Sequence, residues 1–373
     1  MLRKKRRDPS SHSDTLVVRF LITPDWRSGS TVGAYFSRRA LLMIPTFLGI
    51  TLLVFTITRF VPGGPVDRMI MQMQMGATAG EAGGVGGGEA SSVAIPEAAL
   101  ASLKEHYHLD KSIAHAYFLW LSDLLRFDLG NSFKYNLPVV DLITSRFPVS
   151  MYFGLIGFFL AYSVCIPLGV FKAIRHGSRF DFTSSALVFL GYSIPGWALG
   201  LLLLLVLGAE FELVPLGSFR SQDWGKLGMF AKIKDQLHHT ILPVIAYAAG
   251  SFATLTILMK NSLMDNLGQD YVRTAFAKGL PERKAIFVHA LRNSLIPICT
   301  GLGHAIGLVM AGSYLIEKVF NIDGIGYLGF TSILDRDYAV VMGILVINTG
   351  LILLGNILSD VLYVLVDPRI RFQ

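Results

Sequence analysis

Long apolar stretches with few charged residues recur along the chain and alternate with polar segments. They lie at about residues 40–61, 150–170, 182–207, 241–262, 295–315 and 339–365. Each is about 20 residues or more, the length at which a helix rising about 1.5 Å per residue crosses the hydrocarbon of a bilayer. The pattern predicts an all-α polytopic membrane protein with six transmembrane helices.

Composition supports this prediction. Hydrophobic residues make up 52% of the chain and charged residues 16%, whereas soluble proteins carry about 25% charged residues. The net charge of +7 lies mostly in short segments beside the apolar stretches, which is typical of membrane orientation. No groove-reading motif accompanies it, so nucleic acid is not an expected partner. Cys165 and Cys299 both fall within apolar stretches, which favours small buried residues over a disulfide.

The apolar stretches divide the chain into five regions. We expect a basic cytoplasmic tail at 1–39, a first transmembrane helix at 40–61, a periplasmic region at 62–149, a core of five transmembrane helices at 150–366 and a cytoplasmic tail at 367–373. Within 62–149, the Gly-rich segment 76–92 lacks the Lys and Ser or Thr of a phosphate loop, so it is predicted to be a flexible linker. Helical spacing at 100–108 and 112–127 predicts amphipathic helices. In the second, an apolar face suits the membrane interface or a partner: Leu119, Trp120, Leu124 and Leu125.

Charge predicts the orientation of the six spans. An even number of spans places both termini on one side of the membrane. Lys and Arg are denser in the segments on that side, which include the loop 263–294, than in the longer loops on the other side. The positive-inside rule therefore predicts that both termini and this loop are cytoplasmic.

A basic hairpin, residues 270–298, begins within this loop and lies between two apolar stretches. Asp270 is a candidate cap for a first short helix. Gly279 is the residue best able to adopt a left-handed conformation after that helix, and Pro281 suits the first turn of a second one. Exposed basic residues make the hairpin a surface for a partner: Arg273, Lys278, Arg283, Lys284 and Arg292.

Chemical groups within the spans are sparse. His304 is the only histidine well inside a span, where a structural, hydrogen-bonded role is favoured over a proton relay. Small polar residues can line a wet passage or form interhelical hydrogen bonds, and we take four positions as candidates for a translocation path: Thr300, His304, Ser313 and Asn348. There is no HExxH, GxSxG or nucleotide-binding motif. We therefore expect no enzyme activity, no directly bound cofactor and no metal site.

The hairpin carries a recognisable sequence. YVRTA at 271–275, AKGL at 277–280, HALRN at 289–293 and Pro297 resemble the cytoplasmic EAA loop of ABC importer permeases, and most closely its dipeptide/oligopeptide branch. The general family has Glu-Ala-Ala where Arg273-Thr274-Ala275 stand here, as is usual in this branch. The resemblance extends from Ala34 over nearly the whole chain, through PGGP at 62–65, FDLGNS at 127–132, NIDGIG at 321–326 without the usual proline, and DPR at 367–369.

The Gly-rich insertion makes the chain most similar to the Yej-type B permeases, a group associated with peptides and microcin C. The resemblance implies the permease fold in a bacterial inner membrane. It further implies that six residues couple the permease to a cytoplasmic ATPase that uses ATP: Arg273, Thr274, Ala275, Ala277, Lys278 and Gly279. A second related permease and a periplasmic substrate-binding protein are the other implied partners.

Two other classes of protein remain open from the residues alone. A stand-alone ion-coupled secondary transporter needs an essential charge within the membrane, for which His304 is nearly the only candidate. A structural or assembly subunit would use the region 100–147 to bind a partner without transport.

Overall fold

The fold is entirely helical over the residues that the structure describes. The computed structural model describes residues 32–61, 111–310 and 312–366. The helices are α1 (Val32–Phe60), α2 (Ile113–Leu125), α3 (Val139–Ile174), α4 (Arg179–Tyr192), α5 (Gly196–Leu203), α6 (Met229–Leu267), α7 (Asp270–Ala277), α8 (Glu282–Lys284), α9 (Leu291–Ser294), α10 (Ile296–Met310), α11 (Tyr314–Val319), α12 (Ile325–Leu334) and α13 (Tyr338–Val366). π-Helical turns follow α5 (Leu204–Glu210) and join α8 to α9 (Ala285–Ala290). The predicted linker 76–92, the predicted helix 100–108 and most of both tails lie outside the described residues.

Five helical stretches of the described chain are long and apolar enough to cross a membrane, or six if a bent pair is one span. The bent pair is α4 and α5, which meet at 90°. Pro195 directly precedes α5, at the break between the two helices. Two helices are longer than the predicted spans. Helix α3 begins at Val139 rather than at 150, and α6 begins at Met229 rather than at 241. Hydropathy marks only the apolar part of a helix, whereas backbone hydrogen bonding continues into the polar ends.

The fifth span is the one whose bounds differ most from the prediction. The apolar window begins at Glu282, and its helix α10 continues to Met310, whereas the sequence indicated 295–315. The π-helical turn and α9 lead almost without interruption into α10, so the window begins within the hairpin.

Glycines allow the main helices to pack closely. A Cβ atom on Gly157 would lie 2.7 Å from Tyr247 Cβ, and one on Gly169 would lie 2.6 Å from Met259 Cβ. These two contacts show that α3 and α6 run in parallel. In the same way, a Cβ on Gly303 of α10 would lie 1.8 Å from the carbonyl oxygen of Gly355 on α13. Small residues therefore allow these helix backbones to approach closely.

Two contacts fix α1 against α13, which runs in the opposite direction. Arg39 Nε lies 2.8 Å from Asp360 Oδ2, and at the other end of α1 the Tyr338 hydroxyl donates to the Val61 carbonyl at 3.4 Å. The sequence left open whether Asp360 meets lipid headgroups or a basic neighbour, and the neighbour is Arg39. The ends of α3 and α6 that point toward the hairpin, and the start of α1, lie on one side. We call it the hairpin side.

On the opposite side, the segment before α3 is joined to the segment before α13. Gly130 N donates to Asp128 Oδ1 at 2.8 Å, and Ser132 Oγ donates to the buried Asp337. Arg146 Nε pairs with Asp323 Oδ1 at 2.7 Å. The FDLGNS stretch thus anchors the loop 320–337 to the start of α3.

Candidate functional site

The hairpin, α7 to α9 (Asp270–Ser294), is a rigid element because its turn is fully hydrogen-bonded. Gly279 has a φ of +76°, the left-handed conformation that the sequence predicted. Its N–H donates to the Phe276 carbonyl at 2.9 Å, and Leu280 N–H donates to the Ala275 carbonyl at 3.2 Å. This pair of bonds is the Schellman arrangement that closes a helix end.

Two details of the hairpin differ from the prediction. Asp270 is not the cap of α7: Gln269 holds that position without a side-chain hydrogen bond, and Asp270 lies in the first turn. A carboxylate there is still favoured by the helix dipole. Pro281 directly precedes α8 rather than lying in its first turn, and its carbonyl accepts hydrogen bonds from Lys284 N and Ala285 N.

The six predicted coupling residues divide between two faces. Ala275 is buried, at 7% exposure, and lies on the inward face with Val272. The others are exposed to the surroundings of the chain: Arg273, Thr274, Ala277, Lys278 and Gly279. Arg273 has only a weak contact with Asp270, at 3.8 Å. A partner on the exposed face would meet a small, basic surface, whereas Ala275 is not accessible to it.

The inward face fastens the hairpin to the transmembrane helices. Val272 and Ala290 belong to one buried cluster with Met259 and Leu263 of α6 and Val170 of α3. At the base of the hairpin, Ser262 Oγ donates to the Ser294 carbonyl at 2.9 Å, and Ser294 Oγ donates to the Ser262 carbonyl at 3.3 Å. The hairpin is therefore in direct contact with both α6 and α3.

Apolar side chains on the outward surface of the hairpin were not singled out from the sequence. Tyr271 is 40% exposed, Phe276 44%, Phe287 48% and Val288 53%. Their signal was present, because α7 carries apolar residues at 271, 272, 275 and 276 and can bury only one side of itself. Aromatic residues next to an arginine are typical of protein interfaces.

A buried ion-pair cluster lies near the hairpin side: Lys172 of α3, Asp181 of α4 and Lys260 of α6. Lys260 Nζ contacts both Asp181 oxygens at 2.8 Å, and Lys172 Nζ lies 3.4 Å from Asp181 Oδ1. Lys172 also donates to Ser184 and Ser185, at 2.9 and 2.7 Å. Chain position alone does not reveal that Lys172 and Asp181 pair.

Three of the four predicted path residues, Thr300, Ser313 and Asn348, have described side chains, and they lie on three different elements. The exposed Thr300 donates its hydroxyl to the Ile296 carbonyl of its own helix at 2.9 Å. Ser313 precedes α11, and its N–H donates to the Tyr247 hydroxyl at 3.0 Å. Asn348 is half-buried in α13, with an unpartnered Oδ1. His304 lies in α10, and its side chain is outside the described part of the chain.

Glu317 is a buried acid that sequence reasoning missed. It is 1% exposed, on α11 between the two last spans. Oε1 accepts from Ser150 Oγ of α3 at 2.7 Å, and Oε2 accepts from Tyr327 N at 2.6 Å. The predicted spans leave residues 316–338 as a loop outside the membrane, where a glutamate is expected to be exposed to solvent. The surrounding glycines 312, 324 and 326 were the available signal for a tightly folded turn.

Within the described ranges, no group of three or more His, Cys, Asp or Glu residues is placed to hold a metal ion. The candidate site is an exposed, basic and aromatic hairpin whose inward face packs on α3 and α6.

Comparisons with known proteins agree with this geometry. A sequence profile of the family described as "Binding-protein-dependent transport system inner membrane component" matches residues 165–372, more than half of the chain. An inner membrane ABC transporter permease protein YejB of Escherichia coli O157:H7 is 40% identical over 363 residues, covering 92% of this chain and 100% of the relative. A peptidoglycan transport system permease protein YejB of Agrobacterium fabrum is 36% identical over 360 residues, with 92% and 99% covered. A dipeptide transport system permease protein DppB of Escherichia coli is 35% identical over 356 residues, with 90% and 98% covered.

Proposed function

Because the chain belongs to the family of inner membrane components of binding-protein-dependent transport systems, we propose that it is the permease subunit of an ABC importer that carries peptides. It supplies half of the translocation path, and a second, related permease supplies the other half. The chain is not an enzyme, and ATP is hydrolysed by a separate subunit. Family membership also removes the ion-coupled secondary transporter from consideration, and with it the need for an essential charge at His304.

The proposed coupling to the ATPase rests on the two faces of the hairpin. It presents Arg273, Thr274, Ala277, Lys278 and Gly279 outward, while its inward face is packed on α3 and α6. A cytoplasmic ATPase docked on this surface would move the hairpin as one body, because the Schellman turn and the Ser262–Ser294 bonds leave it little freedom. The motion then reaches the spans without a flexible link.

The coupling role requires that the hairpin faces the cytoplasm. The distribution of Lys and Arg supports this orientation, with both termini on the same side of the inner membrane. A binding protein would then deliver substrate on the opposite side, where the loop 320–337 and the start of α3 are held together by Ser132, Asp337 and Arg146.

The proposed substrate class rests on the relatives. Their names refer to dipeptides, oligopeptides and peptidoglycan, and peptide is the chemistry that these share. Microcin C uptake is the narrower proposal, which follows from the similarity to Yej-type permeases.

Coupling is tested by purifying the transporter assembled with its ATPase, its second permease and its binding protein. We expect Arg273→Glu to reduce the ATPase recovered with the chain by more than tenfold, since a cation on the docking surface becomes an anion. Lys226→Glu is the matched control, because Lys226 is 86% exposed on the opposite side. Equal recovery of ATPase with both variants would refute the coupling role of the hairpin.

Substrate class is tested separately, with the same assembly in proteoliposomes. We expect ATP-dependent uptake of short peptides, competed by peptidoglycan-derived peptides and not by free amino acids. Microcin C as a competitor tests the narrower proposal. If sugars or inorganic ions are taken up and peptides are not, the permease assignment stands and the peptide assignment fails.

A further inference from the structure

Helix α2 is more closely joined to the transmembrane helices than a helix in a periplasmic domain would be. Tyr117 and Ala116 are buried, and they form one cluster with Phe55 of α1 and Met342 of α13. The Tyr117 ring contacts Phe55 edge-on, with centroids 5.5 Å apart, and Trp120 lies 5.9 Å from the same ring. The sequence predicted that the apolar face with Trp120 suits the membrane interface or a partner, and in the structure Trp120 packs against Phe55 of α1.

The polar end of Tyr117 marks how deep the helix lies. Its hydroxyl lies 2.9 Å from Thr51 Oγ1 and donates to the Leu48 carbonyl at 3.2 Å. Along α1, Thr51 and Leu48 precede Arg59 by eight and eleven residues, or about 12 and 16 Å at 1.5 Å per residue. Arg59 is the charge that ends the apolar part of α1. A bilayer's hydrocarbon is about 30 Å thick, so the Tyr117 hydroxyl reaches well below its surface.

The other side of α2 points away from the protein and carries two large apolar side chains, with His115 and Ser122 beside them. Phe118 is 68% exposed and Leu125 77%, and at a spacing of seven residues they lie on the same side of the helix. The neighbouring surface of α1 is of the same kind: Leu53 is 60% exposed and Ile57 51%. In the apolar window of α1 only 11% of the residues are buried. The face of α2 thus continues the exposed apolar surface of a membrane-spanning helix.

We propose that α2 is seated within the leaflet on the side opposite the hairpin, with Phe118 and Leu125 in contact with phospholipid acyl chains. Tyr117 holds it there by satisfying its hydroxyl against α1, which removes the penalty for burying that polar group. The basic residues that flank the helix, Lys111 and Arg126, extend from its ends to the headgroups. The helix then serves as a lipid-facing brace that widens the contact of α1 with α13.

The test uses the full chain, assembled with its partner subunits in vesicles of phosphatidylethanolamine and phosphatidylglycerol with radiolabelled acyl chains. A benzophenone amino acid is placed at position 118 or, in a second variant, at position 125. Position 53 on α1 is the lipid control, and position 226 is the water control. After irradiation, transfer of label to the chain is measured, and protein cross-links are read on the same gel.

We expect label transfer from positions 118 and 125 within about threefold of that from position 53, and at least tenfold above that from position 226. Transfer as low as from position 226 would overturn the proposal. In that case a cross-linked protein band would identify a partner subunit as the occupant of this face, and the absence of a band would place α2 in water. A variant that does not assemble is replaced by the other, since the two positions share one face.

Discussion

The ion-pair cluster allows a quantitative prediction, because one carboxylate serves two ammonium groups. The side chains of Lys172, Asp181 and Lys260 are 1%, 8% and 15% exposed. Asp181 also accepts from Gly177 N at 3.2 Å and lies 3.3 Å from His176 Nδ1. Replacing Asp181 with Asn preserves the shape and removes the only negative charge among these contacts.

The cost follows from burial. When one partner of a buried ion pair is removed, the remaining charge is left without compensation, at about 3–5 kcal/mol. For two exposed charges the corresponding loss is about 0–1 kcal/mol. Asp223 and Lys226 form such an exposed pair, with a 2.8 Å contact and side chains 72% and 86% exposed. Asp181→Asn should therefore lower the free energy of unfolding several-fold more than Asp223→Asn does.

Unfolding in detergent, followed by the loss of monodisperse protein on heating, compares the two variants with the unchanged chain. We expect a drop in the midpoint of several degrees for Asp181→Asn and almost none for Asp223→Asn. Adding Lys260→Met to Asp181→Asn should recover part of the loss, because one uncompensated charge is then gone. Equal midpoints for Asp181→Asn and Asp223→Asn would refute the assignment of a buried, mutually dependent cluster.

Three further predictions concern backbone packing and the buried acid. Gly303→Ala should destabilise the chain by at least about 1–3 kcal/mol, because the added Cβ would overlap the Gly355 carbonyl oxygen. A Cβ on Gly350 would meet nothing within 4 Å, so Gly350→Ala should leave the stability unchanged. Thermal unfolding in detergent measures both variants. Gly279→Ala should lower the free energy of unfolding by about 1–2 kcal/mol, because alanine is strained at the positive φ of this position. The same variant should recover less ATPase in a pull-down. Gly268→Ala, at a φ of −75°, should leave ATPase binding intact. Glu317→Ala should lower the unfolding midpoint and expose the loop 320–337 to protease, because the buried donors Ser150 Oγ and Tyr327 N lose their acceptor. Glu317→Gln should have a smaller effect. An unchanged digestion pattern would contradict the idea that Glu317 holds this loop in place.

Much of the fold could be predicted from the sequence because apolar length is a direct physical requirement for crossing a bilayer. The all-α class, the break before Pro195 and the left-handed Gly279 all follow from local rules. The close contact at Gly303 follows as well, since small residues at helical spacing permit backbones to approach. Helix ends were less predictable: α3 and α6 continue past their apolar parts into segments that hydropathy scores as loops.

Pairings between distant residues could not be predicted from the sequence. Lys172 and Lys260 are 88 positions apart, and only the parallel packing of α3 and α6 brings both to Asp181. Glu317 could not be recognised as buried, because its neighbours Ser150 and Tyr327 come from other elements. At the hairpin, the motif marked the right segment, yet the division into inward Ala275 and outward Arg273 required the fold.

The length of α6 has a mechanical consequence. The helix is continuous from Met229 to Leu267, with Pro243 buried in its first half. From Pro243 to Leu267 the helix extends about 36 Å at 1.5 Å per residue. A proline is where a helix bends most easily, so a pivot of about 5° at this point would carry Leu267, and the hairpin attached to it, through about 3 Å on this geometry. Motion in the opposite sense follows the same geometry. A small displacement of the hairpin would become a small rotation at Tyr247, which lies one turn after Pro243. Ser313 and Glu317 contact Tyr247 at this point.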